Sequence, residues 1–167
     1  MNHLRPTCLA VLVFFAALFV LPWSPAWAKG QIELTEQARR LHQAALLIDG
    51  HNDLPWALRD AGDFSLTKYD LNRRQTNFHT DIPRLKEGGM GAQWWAAYVP
   101  VSTMDTGTAN RTALEQIDLT QRLIRTYSDT FELAYTSADV RRIRAAGKIA
   151  SLIGVEGGHA IENSLDK

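Results

Sequence analysis

A chain of 167 residues has room for one domain of ordinary size, and 46% hydrophobic with 22% charged residues is the make-up of a packed globular protein rather than a disordered one. Lys+Arg and Asp+Glu both number 18, so the formal net charge is zero. That balance removes the electrostatic case for a nucleic-acid partner or for binding to an anionic membrane surface.

The first segment stands apart from the rest. Arg5 precedes an apolar stretch from Cys8 to Leu21, and Pro22, Pro25 and the triplet Ala26-Trp27-Ala28 follow. One cation, a short apolar core and a small-x-small triplet are the layout of a cleavable export signal. The stretch is shorter than the ~20 apolar residues a membrane span requires. Residues 1–28 are therefore expected to be a signal peptide cut near Ala28. Residues 29–167 would then be the folded part, secreted or periplasmic, with no stable membrane anchor. Cys8 is the only cysteine. The exported part would have none, so packing or bound metal must do what disulfides do elsewhere.

In the folded part, Thr35 suits a helix N-cap with Glu36 in the first turn, and Leu34, Ala38, Leu41 and Ala45 recur at helical spacing. "LLID" (Leu46–Asp49) reads as a short buried strand. Leu54–Phe78, with Pro55, Gly62 and several Asp and Asn, reads as a long irregular excursion. Asp81-Ile82-Pro83 opens a short helix that stops at Gly88-Gly89. "MGAQWWAAYVP" (Met90–Pro100) is a second buried strand, apolar on both faces. A polar loop, Ser102–Asn110, leads to a long helix. Its apolar stripe is Ala113, Leu114, Ile117 and Ile124, with Thr120 and Gln121 as interruptions. "FELAYT" (Phe131–Thr136) is a short strand. Ser137 caps a helix through Val140 and Ile143 that ends at Gly147, and Arg141, Arg142 and Arg144 form its solvated face. "KIASLIGVE" (Lys148–Glu156) is the last strand.

Strands alternating with helices imply parallel βα units. A (β/α)8 barrel and an open doubly wound sheet compete. No G-x-G-x-x-G and no P-loop follows a strand, which weakens a nucleotide-binding reading. His51 and Asp53 follow the first strand and Glu156 ends the last. A barrel gathers the carboxyl ends of its strands at one face, which would bring all three together. Residues i and i+2 of an extended chain project to the same side, and zinc accepts both imidazole and carboxylate. Glu156 directly follows an apolar run and precedes Gly157-Gly158. A carboxylate so placed needs a cation or hydrogen-bond donors, and glycine N–H groups or a helix cap would serve as well as a metal. Its two oxygens also suit a bridge between two cations ~3.5–4 Å apart. Among the other candidates, His159 is expected beside the ligands, as a support, a substrate contact or a structural residue rather than as a ligand, and Trp56 either lines the site mouth or packs its loop. His42 is expected on the surface or in the core, and His79 in a structural hydrogen bond.

"IDGHNDLPWALR" (Ile48–Arg59), "HTDIPRLKEGGMGAQWWAAYVP" (His79–Pro100) and "IASLIGVEGGHAIENSLD" (Ile149–Asp166) together resemble the N-terminal part of the membrane dipeptidase (renal dipeptidase) family of zinc peptidases. The resemblance implies a (β/α)8 TIM barrel, incomplete in this chain, and a centre of two Zn2+ ions. His51 and Asp53 would bind one zinc and Glu156 would bridge both. The implied reaction is dipeptide hydrolysis by a metal-bound water or hydroxide, with no side-chain nucleophile, and the absence of G-x-S-x-G agrees. Some members of the family also open carbapenem-type β-lactams. The second zinc's histidines come from later strands of the family barrel, so this chain is expected to be an inactive N-terminal portion. A homodimer of the complete enzyme is an open alternative. A degenerate, non-catalytic dipeptidase-like binding module and another metal-dependent amidohydrolase are the competing readings.

Overall fold

The computed structural model describes residues 34–62 and 64–167, so the signal peptide expected over residues 1–28 lies outside the described residues. Helix α1 spans Glu36–Ala44, and the Thr35 hydroxyl caps it by accepting from the Ala38 N–H at 3.1 Å. The helix lies wholly exposed and is held at its end by His42, whose Nε2 is 2.8 Å from the Gly88 carbonyl. Strand β1, Leu47–Asn52, runs three residues further than "LLID" and carries His51 within it.

The segment after β1 corrects the expectation of an irregular excursion. It begins with a helix, α2, over Leu54–Asp60. Pro55 does not break this helix because it lies in the first turn, where the missing N–H has no intrahelical partner. Leu54 and Leu58, one helical turn apart, bury themselves in the core. The remainder, to Thr80, is irregular, and it is pinned where the Tyr127 hydroxyl accepts from the Leu71 N–H at 2.9 Å. Helix α3, Ile82–Glu87, starts on the fully buried Asp81, whose carboxylate accepts from the N–H groups of Arg84 and Gln75 at 2.8 and 2.9 Å.

Strand β2, Met90–Tyr98, is followed by a 3-10 turn, Val101–Met104, and by helix α4, Ala109–Thr126. The buried face of α4 is centred on Ala113, Gln116, Leu119, Thr120 and Leu123, whereas Leu114 is 59% exposed. Thr120 is therefore a core residue and not an interruption; its hydroxyl donates to the Gln116 carbonyl at 2.8 Å, which permits burial. Strand β3 covers only Phe131–Leu133. Helix α5, Ser137–Ala145, is capped by Thr136 rather than Ser137, in a reciprocal capping box with Asp139. Strand β4, Ile149–Glu156, ends in a 3-10 turn, Gly158–Ile161.

All strand pairs are parallel, in the order β1-β2-β4-β3. The crossover from β2 to β3 runs outward and the one from β3 to β4 runs back. Right-handed crossovers in opposite directions place their helices on opposite faces of a sheet. The cores agree. Trp95 and Ile149 pack with Leu58, Leu119, Leu123 and Phe131 on the face under α2 and α4, while Ala92 and Ala150 pack with Val140 and Ile143 of α5 on the other. Helix α5 reaches only the amino-terminal half of that second face. Nearer the carboxyl ends, Trp94 remains 40% exposed. The short β3 pairs with Ile149–Ser151 alone, so the rest of the β4 edge has no strand beside it among the described residues.

Candidate metal centre

The site stands at the carboxyl ends of β1 and β4. His51 is brought there by an irregularity in β1. Asp49 pairs with Gln93 and Asn52 with Trp95, so three steps of β1 match two of β2, and the strand bulges at Gly50-His51. Asp53 follows at once, at the start of α2. Glu156 is the last residue of β4 and the register partner of Tyr98. Just beyond it the chain turns through Gly157 at φ 101°, which only glycine adopts without strain.

These three residues meet, although Asp53 and Glu156 are far apart in sequence. One ligand atom from each lies within 4.8 Å of the others. The His51 Nε2 is 3.2 Å from Asp53 Oδ2 and 3.2 Å from Glu156 Oε2. A single imidazole N–H serves one oxygen well. The hydrogen-bond geometry goes to Asp53, and Glu156 Oε2 is buried with no hydrogen-bond partner. An orphaned carboxylate oxygen facing an imidazole nitrogen and a second carboxylate is a donor set of the type that zinc accepts. Two carboxylates and one histidine leave the cluster net negative whenever the histidine is neutral, which favours a divalent cation. A cleft of about 340 Å³ opens beside it, lined by Gly50, His51, Trp94, Gly154 and Glu156. The larger cleft between α2 and α4, about 590 Å³, holds none of the three residues, and its charged groups pair with one another, as Arg59 and Glu115 do at 2.7 Å.

The remaining candidates fall outside the cluster. His159 turns away from it, with its Nε2 2.8 Å from the Val99 carbonyl, and its ring lies so close to Gly157 that a Cβ there would come within 2.4 Å. Trp56 makes an edge-to-face contact with Tyr98 at 5.1 Å, which sets it beside the register partner of Glu156. His42 ties α1 to α3, and His79 is exposed. Gln93, a fully buried amide that contacts both Asp49 and Asn52, is not among the candidates the sequence singles out. The available signal was a lone glutamine inside the otherwise apolar run "GAQWWAAYV".

A sequence model of the membrane dipeptidases (peptidase family M19) matches residues 35–167. The chain is 47% identical over 133 residues to Dipeptidase 3 of Mus musculus, covering 79% of this chain and 26% of that protein. It is 41% identical over 135 residues to Dipeptidase ataJ of Aspergillus terreus, covering 77% and 33%. Among solved structures it is similar to a metallo peptidase from Rhodobacter sphaeroides liganded with a phosphinate mimic of the dipeptide L-Ala-D-Ala, with a TM-score of 0.54 at 25% identity, covering 69% of this chain and 39% of that one. The dipeptidase AC, also a metallo peptidase of family M19, gives 0.53 at 25% identity, covering 69% and 36%. These likenesses bear out the α/β class and the reading of the sheet as part of an incomplete (β/α)8 barrel. The chain spans between about a quarter and two-fifths of the length of these relatives.

Proposed function

Since this chain belongs to the membrane dipeptidase family, peptidase family M19, we propose that it supplies one part of the active site of an exported zinc dipeptidase. The observation that carries the reading is the convergence of His51, Asp53 and Glu156 within 4.8 Å at the carboxyl ends of parallel strands. His51 and Asp53 would hold one Zn2+, and Glu156, with one oxygen already lacking a partner, would extend towards a second. Zinc bound there supplies a Lewis acid that activates water and polarises a peptide carbonyl at neutral pH. The chain's own residues hold and orient. Gly157 turns the backbone away from the Glu156 carboxylate and keeps its approach open. Trp56, edge-on against Tyr98, the register partner of Glu156, would stand to the side of the ligands. Gly154, where a Cβ would come within 3.5 Å of the Trp94 ring, leaves that part of the cleft open. Export rests on the amino-terminal sequence, Arg5 to Ala28, and among the described residues no helix is long and apolar enough to cross a membrane.

Three donors and solvent complete one four-coordinate ion. A two-ion centre needs more, and among the described residues no second group of His, Asp, Glu or Cys meets the same criterion. The chain alone is therefore expected to bind metal yet turn over dipeptides far more slowly than a full-length relative. Calorimetric titration of the purified chain with Zn2+ tests the first half. Saturable binding of an ion, weakened about tenfold or more by Glu156→Gln (about 1.4 kcal/mol), is the expected result, and an unchanged isotherm would remove Glu156 from the ligand set. Turnover of a dipeptide equal to that of a full-length family member would refute the need for further ligands.

A further inference from the structure

The bulge that aims His51 has a specific support, and it comes from the neighbouring strand. Gln93 is fully buried, and both ends of its amide are hydrogen-bonded. Its Nε2 donates to Asp49 Oδ2 at 2.9 Å and to the Trp94 carbonyl at 3.1 Å, and its Oε1 accepts from Asn52 Nδ2 at 3.3 Å. The first and last of these partners are the two residues where β1 leaves and rejoins the register of β2. The Asp49 carboxylate accepts at its other oxygen from the His51 N–H at 3.2 Å. Asn52 in turn accepts from the Leu54 N–H at 3.0 Å and donates to the Thr80 hydroxyl at 3.1 Å. The orientation of the Gln93 amide is fixed by chemistry, because a carboxylate can only accept and Asp49 therefore requires the NH2 end.

A bulge leaves one residue unpaired and free to swing, and bulges beside active sites re-aim side chains. Here the swinging residue is a ligand. We propose that Gln93 is a positioning residue for the metal centre: its buried amide clamps both ends of the β1 bulge and so fixes the direction of His51. The metal-directed part rests on the zinc reading above; the clamp itself does not. Gln93 touches none of the three ligand side chains in these contacts and acts through Asp49 and Asn52.

The test compares Gln93→Met, which keeps an unbranched side chain of similar length without the amide, with Gln116→Met. Gln116 is an equally buried amide, on α4, whose side-chain atoms have no hydrogen-bond partner. The first readout is amide hydrogen exchange on the metal-free chain. Exchange at His51 and Asn52 should accelerate at least tenfold in Gln93→Met and stay unchanged in Gln116→Met. The second is Co2+ titration followed by visible absorption. Gln93→Met should weaken Co2+ binding by about ten- to a hundredfold, the usual effect of removing a partner that orients a ligand, and alter the ligand-field bands, with Gln116→Met at wild-type values. If Gln93→Met does not fold, Gln93→Asn, too short by one methylene to reach both ends, is read in the same way. Unchanged exchange at His51, unchanged Co2+ affinity, or equal loss in the Gln116→Met control would each overturn the proposal. A wild-type chain that binds no Co2+ would instead sink the zinc reading, and the exchange experiment would still decide the clamp.

Discussion

At the scale of single residues, the site depends on groups that do no chemistry themselves. Gly157 sits at φ 101° with the His159 ring against its Cα, so an alanine there meets both backbone strain and a Cβ 2.4 Å from a ring carbon. Gly157→Ala is expected to destabilise the chain by about 1–3 kcal/mol from the strain alone, read by urea unfolding. Gly158→Ala, where a Cβ would meet nothing within 4 Å, is the control and should be near neutral. Asp81 shows the opposite economy of a buried charge. Burial pushes its carboxyl up, but hydrogen bonds from the Arg84 guanidinium and from the Gln75 and Arg84 N–H groups outweigh that and hold it below the usual range. A carboxylate with a lowered folded pKa adds stability that is present above its unfolded pKa of about 3.9 and is lost as pH falls through the folded value. Asp81→Asn should therefore flatten the acid limb of stability below about pH 4 and cost about 3 kcal/mol at neutral pH, near the lower end for breaking a buried pair because Arg84 is one-third exposed. Thermal melts of both proteins from pH 3 to 7 check the two effects together.

At the scale of elements, caps and turns decide where helices begin. The Thr136 hydroxyl accepts from the Asp139 N–H at 3.1 Å while the Asp139 carboxylate accepts from the Thr136 N–H at 3.0 Å. That reciprocity sets the start of α5 one residue earlier than the sequence reading placed it. Thr136→Ala should cost about 1 kcal/mol, with Ser137→Ala closer to neutral, both measured by chemical denaturation. Helix α2 departs from the sequence expectation because proline and clustered polar residues ordinarily signal irregular chain, whereas here proline fills a first-turn position and Asn52 accepts from the Leu54 N–H. Helix α4 was found but rotated. Leu114 looked like a core position by type, yet Gln116 and Thr120 are the buried ones, since the stripe follows the sheet beneath it and not residue polarity alone.

At the scale of the whole molecule, the sheet is covered unevenly. Helices α2 and α4 close one face, and α5 closes only part of the other, which leaves Ile48 at 49% and Trp94 at 40% exposed; Val155, on the β4 edge beyond the end of β3, is 52% exposed. Contiguous apolar exposure of this kind marks an interaction surface or an aggregation liability. The isolated chain should therefore bind a hydrophobic dye, and Trp94→Thr with Val155→Thr should reduce that signal without lowering the helical circular dichroism. Ligand binding to the folded state alone stabilises it by mass action, about 2.7 kcal/mol at a hundredfold excess over Kd. If the three-residue cluster holds zinc, saturating Zn2+ should raise the melting temperature, EDTA should reverse the rise, and Glu156→Gln should shrink it.

Apolar runs, caps and the order of the "HND" and "GVEGGH" motifs are local properties, and they suffice for the α/β class, the parallel strands, the family and the three residues most worth watching. The rest comes from packing and register. Strand order placed β3 outside β4 and so sent α4 and α5 to opposite faces, which no local pattern encodes. Packing brought His51 Nε2 to 3.2 Å from Glu156 Oε2 and left that oxygen without a hydrogen bond. Pairing between strands created the bulge at His51 and brought Gln93 to both of its ends. Register is a relation between two segments, and it becomes visible only when both are in place.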